Sequence, residues 1–300
     1  MTRAISTIRE KQAANSPMRI LIVFTLLLLS PAMARADAVS AAAAMENPAN
    51  PLVLINTESG PMYVELLPGE APLNVANFLA LAEPPEMENP AVLPGPRGYY
   101  DGMRFHRVVP GFLIQAGSPA LYQGEGEYAT VRDEINADAL GLDLEPVLYA
   151  NGEFNPLLDV QNEEDLEETL LRPLYRRLGI SGNAQVAARQ DEIMSTLTDM
   201  SVKDAYAQLG YRYQTARPGR GLGRGVLALA NRGPDDNGPE FFVVLDDAPH
   251  LNGKYTVIGH VVEGMEAADR IGATAVDSLA LEPEQFTSSG RLIYSIRQVN

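Results

Sequence analysis

The stretch Phe105-His106-Arg107-Val108-Val109-Pro110-Gly111-Phe112-Leu113-Ile114-Gln115-Ala116-Gly117 decides the fold. Two short apolar runs, Met103 to Val109 and Phe112 to Ala116, flank a Pro-Gly pair, the dipeptide of a tight turn. The pattern is strand, turn, strand. It recurs further along the chain. Gly225-Val226-Leu227-Ala228-Leu229-Ala230-Asn231 runs into a turn-rich Arg232 to Pro239, and Glu240-Phe241-Phe242-Val243 resumes the strand. Pro249-His250-Leu251-Asn252-Gly253-Lys254-Tyr255 then leads into Thr256 to Gly259. Together these three segments hold an Arg, a Gln, an Asn and several aromatics, but no credible nucleophile–base pair.

Further strand runs lie at Leu52–Thr57 and Met62–Leu67, joined by Glu58-Ser59-Gly60-Pro61 as a hairpin. Others span Val226–Ala230, Phe241–Leu245, Tyr255–Val261 and Leu292–Val299. Residues 128–144, with the Asp133-Glu134 pair, are weakly strand-like. Two brief helices are expected. One starts at Pro72 with Val75, Phe78, Leu79 and Ala82 at helical spacing, and the other spans Met265–Ile271. Many short strands with two helices make the chain mainly β, an antiparallel barrel or sandwich. Glu83 to Arg97 holds five prolines and no periodicity, so a rigid loop is expected.

A helical insert is expected at about 145–215. Leu166, Leu170, Leu174 and Leu178 fall on one face, Pro173 should kink or break the helix, and Ser201 with Asp204 forms a capping box. Arg217 to Gly225 is a Gly/Arg-rich linker.

The chain has 300 residues, 46% hydrophobic and 21% charged, which excludes a disordered or fibrous protein. Its net charge of −16 repels phosphate backbones and argues against nucleic-acid partners. Without cysteine there is no disulfide, thiol catalysis or Cys-ligated zinc. His106, His250 and His260 are too scattered for a metal site, and Asp235-Asp236-Asn237 lacks the rest of a calcium loop. No metal or cofactor is expected.

Residues 1–36 read as a signal peptide. Arg19 precedes the apolar run Ile20–Leu29, and Ala34 and Ala36 stand at A-x-A spacing. The run is about half of what a membrane span needs, so no stable insertion is expected after cleavage. Cleavage after Ala36, with Ala34 next, implies a periplasmic or secreted protein; a mitochondrial presequence is the runner-up. Residues 37–51, rich in Ala, Asn and Pro, are expected to be a flexible tether before the folded domain, 52–300.

Segments 52–118 and 224–272 resemble the cyclophilin-type peptidyl-prolyl cis-trans isomerases. The motifs F-H-R-[VI]-[VI]-P-G-F-x-[IV]-Q-x-G and L-A-x-A-N-x-G-P-x-x-N-G-x-x-F-F occur in that order. The resemblance implies an eight-stranded antiparallel barrel with two capping helices. It places the catalytic arginine at Arg107, oriented by Gln115, and the proline pocket at Phe112, Leu113, Phe242 and Leu251. Ala230 and Asn231 would bind substrate largely through their backbones. Tyr255 stands where eukaryotic members have histidine, and His250 where a tryptophan helps cyclosporin bind, so weak cyclosporin sensitivity is implied. Glu240 replaces a usual Gln and brings a carboxylate to the groove. It would pair with a groove arginine, attract basic clients or merely face solvent.

Such a site needs no cofactor, because no bond is broken. It must favour the twisted amide over either planar form. Arg107 would donate to the prolyl nitrogen, or stabilise the carbonyl oxygen as it swings, while the apolar cup fixes the ring. The implied partners are proline-containing polypeptides outside the cytoplasm. The alternative is a non-catalytic client-binding chaperone module built on the insert.

Overall fold

The structure is a computed structural model that describes residues 36–84, 97–122, 129–274 and 290–300. The signal-peptide expectation, apart from Ala36, and most of the Pro-rich 83–97 stretch lie outside these residues.

Eight strands form one antiparallel sheet: β1 (Leu52–Thr57), β2 (Gly60–Leu66), β3 (Arg107–Val109), β4 (Leu113–Ala116), β5 (Val226–Leu229), β6 (Phe241–Val244), β7 (Val257–Glu263) and β8 (Ile293–Gln298). Their order is β3-β4-β6-β5-β7-β2-β1-β8. The two edges meet. Phe105 N donates to Arg291 O at 3.0 Å, and Ile293 N to Met103 O at 2.8 Å, so the sheet closes into a barrel.

Alternation along each strand divides the side chains between two environments. Val53, Ile55, Met62, Val64, Ile114, Leu227, Leu229, Phe241, Val243, Ile258, Ile293 and Ile296 fill one core. The intervening residues Leu113, Val226, Ala228, Phe242, Val244 and Val257 form a second cluster on the opposite face. Burial on both faces explains why these strands read as continuous apolar runs.

Among the described residues, three helices precede the helical segment: α1 (Ala38–Ala44), α2 (Pro72–Ala82) and α3 (Pro119–Tyr122). Phe78 of α2 joins the barrel core. The N-cap of α2, Ala71, offers no side chain. Glu134 supplies the acceptor instead, its Oε2 taking hydrogen bonds from Leu73 N at 2.9 Å and Asn74 N at 3.0 Å. Of the stretch 128–144, expected to be weakly strand-like, the described residues 129–144 form no strand; they run as loop and turns joined to the barrel by a Val131–Asn237 bridge.

The tether expectation for 37–51 is corrected. Asp37 caps α1 by accepting from Val39 N and Ser40 N, and Ala41 is buried. The fully buried Glu65 carboxylate then accepts from Glu46 N, Asn47 N and Asn50 Nδ2 at 2.7, 3.0 and 2.7 Å. Arg220 also bridges Glu46 and Glu70. Local sequence gives the capping residue and helix-forming alanines, but the anchoring carboxylate comes from β2.

Between β4 and β5 the chain forms α4 (Glu163–Leu166), α5 (Arg172–Leu178), α6 (Asn183–Ala188), α7 (Gln190–Asp199) and α8 (Val202–Gln208). Leu170 and Leu174 are buried in this segment's own core, with Leu166 and Leu178 packed against it. Pro173 does not break the helix. A π-turn over Glu167–Leu171 joins α4 to α5, Arg172 N donating to Glu167 O five residues back. The Ser201–Asp204 capping box forms as expected. A final helix, α9 (Met265–Gly272), adds Ala267, Ala268 and Ile271 to the barrel core.

Candidate active site

Antiparallel register lines up the site. Arg107 of β3 pairs with Gln115 of β4, Gln115 with Phe242 of β6, and Phe242 with Ala228 of β5. Directly paired residues project to the same face of a sheet, so one rung carries a guanidinium, an amide and a phenyl ring in succession. The neighbouring rung, Val109–Leu113–Val244, is apolar.

Phe242 and Leu113 are buried at the floor, with Phe112, Ala230, Leu251 and Tyr255 packed against them. The ring of His250 stacks on Phe112 with centroids 5.5 Å apart and planes 25° apart. Tyr255 meets Phe242 edge-on, 5.3 Å away at 87°. Burial raises the Tyr255 hydroxyl's pKa, partly countered by the charge of Arg107. The Asn231 side chain donates to Lys254 O at 2.9 Å, tying the turn after β5 to the loop before β7.

A hydrogen-bonded chain runs through the polar side. The exposed Arg107 donates through Nη1 to Gln115 Oε1 at 3.1 Å, and Gln115 Nε2 donates to Glu240 Oε1 at 2.7 Å. His106 Nε2 lies 2.9 Å from the same oxygen. A guanidinium only donates and a carboxylate only accepts, so the Gln115 amide can satisfy both in one orientation alone. Burial pushes the Glu240 carboxyl up, but the His106 and Gln115 hydrogen bonds and the charges of His106 and Arg232 outweigh it. The group titrates below its ordinary value.

Every residue named from the sequence therefore falls on this rung, in its apolar cluster or on the loops beside it. Glu240 makes no ion pair with Arg107. It is engaged inward by Gln115 and His106, rather than paired with Arg107 or left to solvent. His106 is the residue that sequence reasoning missed. The available signal was its place beside Arg107 together with a carboxylate at position 240. Among the described residues, no group of three His, Asp or Glu side chains is arranged to hold a metal.

The closed β-barrel thus presents a hydrogen-bonded guanidinium beside an apolar cup, as the resemblance implied. A family model described as cyclophilin type peptidyl-prolyl cis-trans isomerase matches residues 52–289, and the chain belongs to that family of isomerases. It is 26% identical over 227 residues to peptidyl-prolyl cis-trans isomerase-like 1 of Rhizopus delemar, covering 75% of this chain and 82% of the relative. It is 26% identical over 231 residues to the Arabidopsis thaliana isomerase CYP18-2, covering 76% and 84%. A crystal structure of a Cryptosporidium parvum cyclophilin type isomerase aligns over 84% of this chain and 98% of its own, with a TM-score of 0.46 and 20% identity.

Proposed function

We propose that this protein accelerates rotation about X–Pro bonds in polypeptides folding outside the cytoplasm. Amide resonance raises a barrier of about 18–20 kcal/mol, and uncatalysed exchange takes tens to hundreds of seconds. Twisting the bond removes the resonance and returns a lone pair to the prolyl nitrogen. A donor aimed at that nitrogen, or at the displaced carbonyl oxygen, interacts more strongly with the twisted amide than with either planar form.

Arg107 is that donor. Gln115 holds it from one side and leaves the remaining guanidinium N–H groups available to substrate. Phe112, Leu113, Phe242 and Leu251 receive the pyrrolidine ring, with Tyr255 and His250 as the outer walls. Ala230 N already donates to Glu240 O at 2.8 Å, so a bound chain would pair with the Ala230 carbonyl and the Asn231 backbone. The observation that carries this reading is the Arg107–Gln115–Phe242 rung, which places donor, brace and cup in fixed register. NMR exchange on an X-Pro peptide with the native chain and Arg107→Ala tests it. Equal turnover by the two would refute the assignment.

The site of action is inferred from residues 19–36. Cleavage after Ala36 would leave Asp37, the cap of α1, as the first residue. Fractionation with N-terminal sequencing checks this; a mature chain still carrying Ile20–Leu29 would sink it. The helical segment is read as an insertion into the family barrel. Its leucines lie in its own core, which speaks against the alternative in which they form a client-binding face.

A further inference from the structure

The loop that closes the proline cup, residues 250–255, is held from both sides. Toward the cup it offers Leu251 and Tyr255, and its Lys254 carbonyl accepts from Asn231 at 2.9 Å. On its other side it meets the helical segment. Tyr213 Oη donates to Gly253 O at 3.0 Å. Lys254 Nζ lies 5.3 Å from the centroid of the Tyr206 ring. The turn Pro156–Leu158 packs against the turn Pro249–Leu251, and Tyr206 Oη is fixed on Leu157 O at 2.6 Å.

The fit leaves no slack. Gly253 has φ +83°, and a Cβ there would lie 2.5 Å from Leu142 Cδ1 and 3.3 Å from the Tyr206 ring. Tyr211 stacks on Tyr213 with planes 8° apart and centroids 6.5 Å apart, and also contacts Tyr206 at 6.2 Å. Three tyrosines of one short stretch thus form the wall behind the loop. Burial keeps all three hydroxyls protonated far above the physiological range, so Tyr213 is a donor to Gly253 at every working pH.

We propose that the helical segment is a positioning element of the proline-binding loop, with Tyr213 and Tyr206 as the positioning residues that set affinity for the prolyl substrate through Gly253 and Lys254. This inference rests on the isomerase reading above. The physical argument is one of preorganisation. A six-residue loop held on one side only must be ordered by its ligand, whereas one held on both sides is ordered beforehand. Leu251 and Tyr255 then meet the pyrrolidine ring without further loss of freedom.

The test uses the full chain and two single-hydroxyl deletions. Tyr213→Phe removes the bond to Gly253, and Tyr211→Phe removes a hydroxyl from the same stack but no bond to that carbonyl. With an X-Pro peptide, Tyr213→Phe is expected to raise KM about three- to ten-fold with kcat within about two-fold, as loss of ground-state binding requires. Amide exchange at Gly253, Lys254 and Tyr255 should quicken in the same variant. Tyr211→Phe should leave both readouts near the native values. Lys254→Met, which keeps the stem and removes the charge over Tyr206, should move KM in the same direction as Tyr213→Phe. The proposal is overturned if Tyr213→Phe and Tyr211→Phe are alike in KM and in loop exchange, or if kcat alone falls. An inactive native chain would instead refute the isomerase reading, and the exchange comparison would then decide the loop's support by itself.

Discussion

Arg107 projects from β3 into solvent, so its loss opens no cavity. Arg107→Ala is expected to cost about 10²–10³-fold in kcat/KM, the scale of removing one transition-state donor, with an unchanged melting temperature. Glu240→Gln probes the brace behind it. Both contacts fall on one carboxylate oxygen, so the carbonyl oxygen of a glutamine at 240 can still accept them, but without the negative charge that strengthens them. A fall in kcat/KM of about three- to ten-fold is expected, with the ranking of basic and acidic prolyl peptides retained because the carboxylate already faces inward. Its depressed folded-state pKa means that Glu240 adds stability above the ordinary glutamate range, which is lost as pH falls through the folded value. Acid titration of the melting temperature should show this limb in the native protein and a weaker one in Glu240→Gln. Arg107, Gln115 and Phe242 were legible in the sequence because the motifs that hold them resemble those of the family; their shared face is set by the register of three strands. The His106–Glu240 contact was not, because the pairing of β3, β4 and β6 brings those positions together only in the folded barrel.

Among the elements, those with a strong local signal match their expectation. The 58–61 hairpin, α2 beginning at Pro72, α9, and the Ser201 cap all lie where capping and periodicity put them. Ser201→Ala should therefore cost about 1 kcal/mol in chemical denaturation, the usual worth of an N-cap. Elements held by distant partners were missed. Residues 129–144 carry no strand, and their polar groups are used elsewhere: Asp133 accepts from Asn237 Nδ2 and Asp235 N, while Glu134 caps α2. Pro173, expected to kink or break the helix because it lacks an N–H, does not end it; the π-turn ahead of it is the local irregularity that accommodates the proline. Close approach sets a further limit in β7. A Cβ on Gly259 would stand 2.7 Å from Glu65 O, so Gly259→Ala should destabilise by about 1–3 kcal/mol, the cost of overpacking.

At the scale of the whole molecule, the N-terminal segment belongs to the folded unit. Deleting residues 37–50 leaves the buried Glu65 carboxylate without the donors Glu46 N, Asn47 N and Asn50 Nδ2. Unfolding free energy is expected to fall by about 3–5 kcal/mol, as when a buried charge loses its partner. Nearby His260 titrates below its ordinary 6.5 because it is buried and faces Arg220. The unfolded chain takes up that proton first, so this part of the stability is complete above about pH 6.5 and drains away as pH falls through the folded value. The barrel's two faces carry a last consequence. Ile114 points to the core and Gln115 to the rung, so inserting one residue into β4 would exchange catalyst for filling along the rest of the strand. The connection from 117 to 225 is under no such parity rule, and it holds an entire helical assembly. Evolution can lengthen this protein freely where ribbons end, but cannot change their count of residues by one where they run.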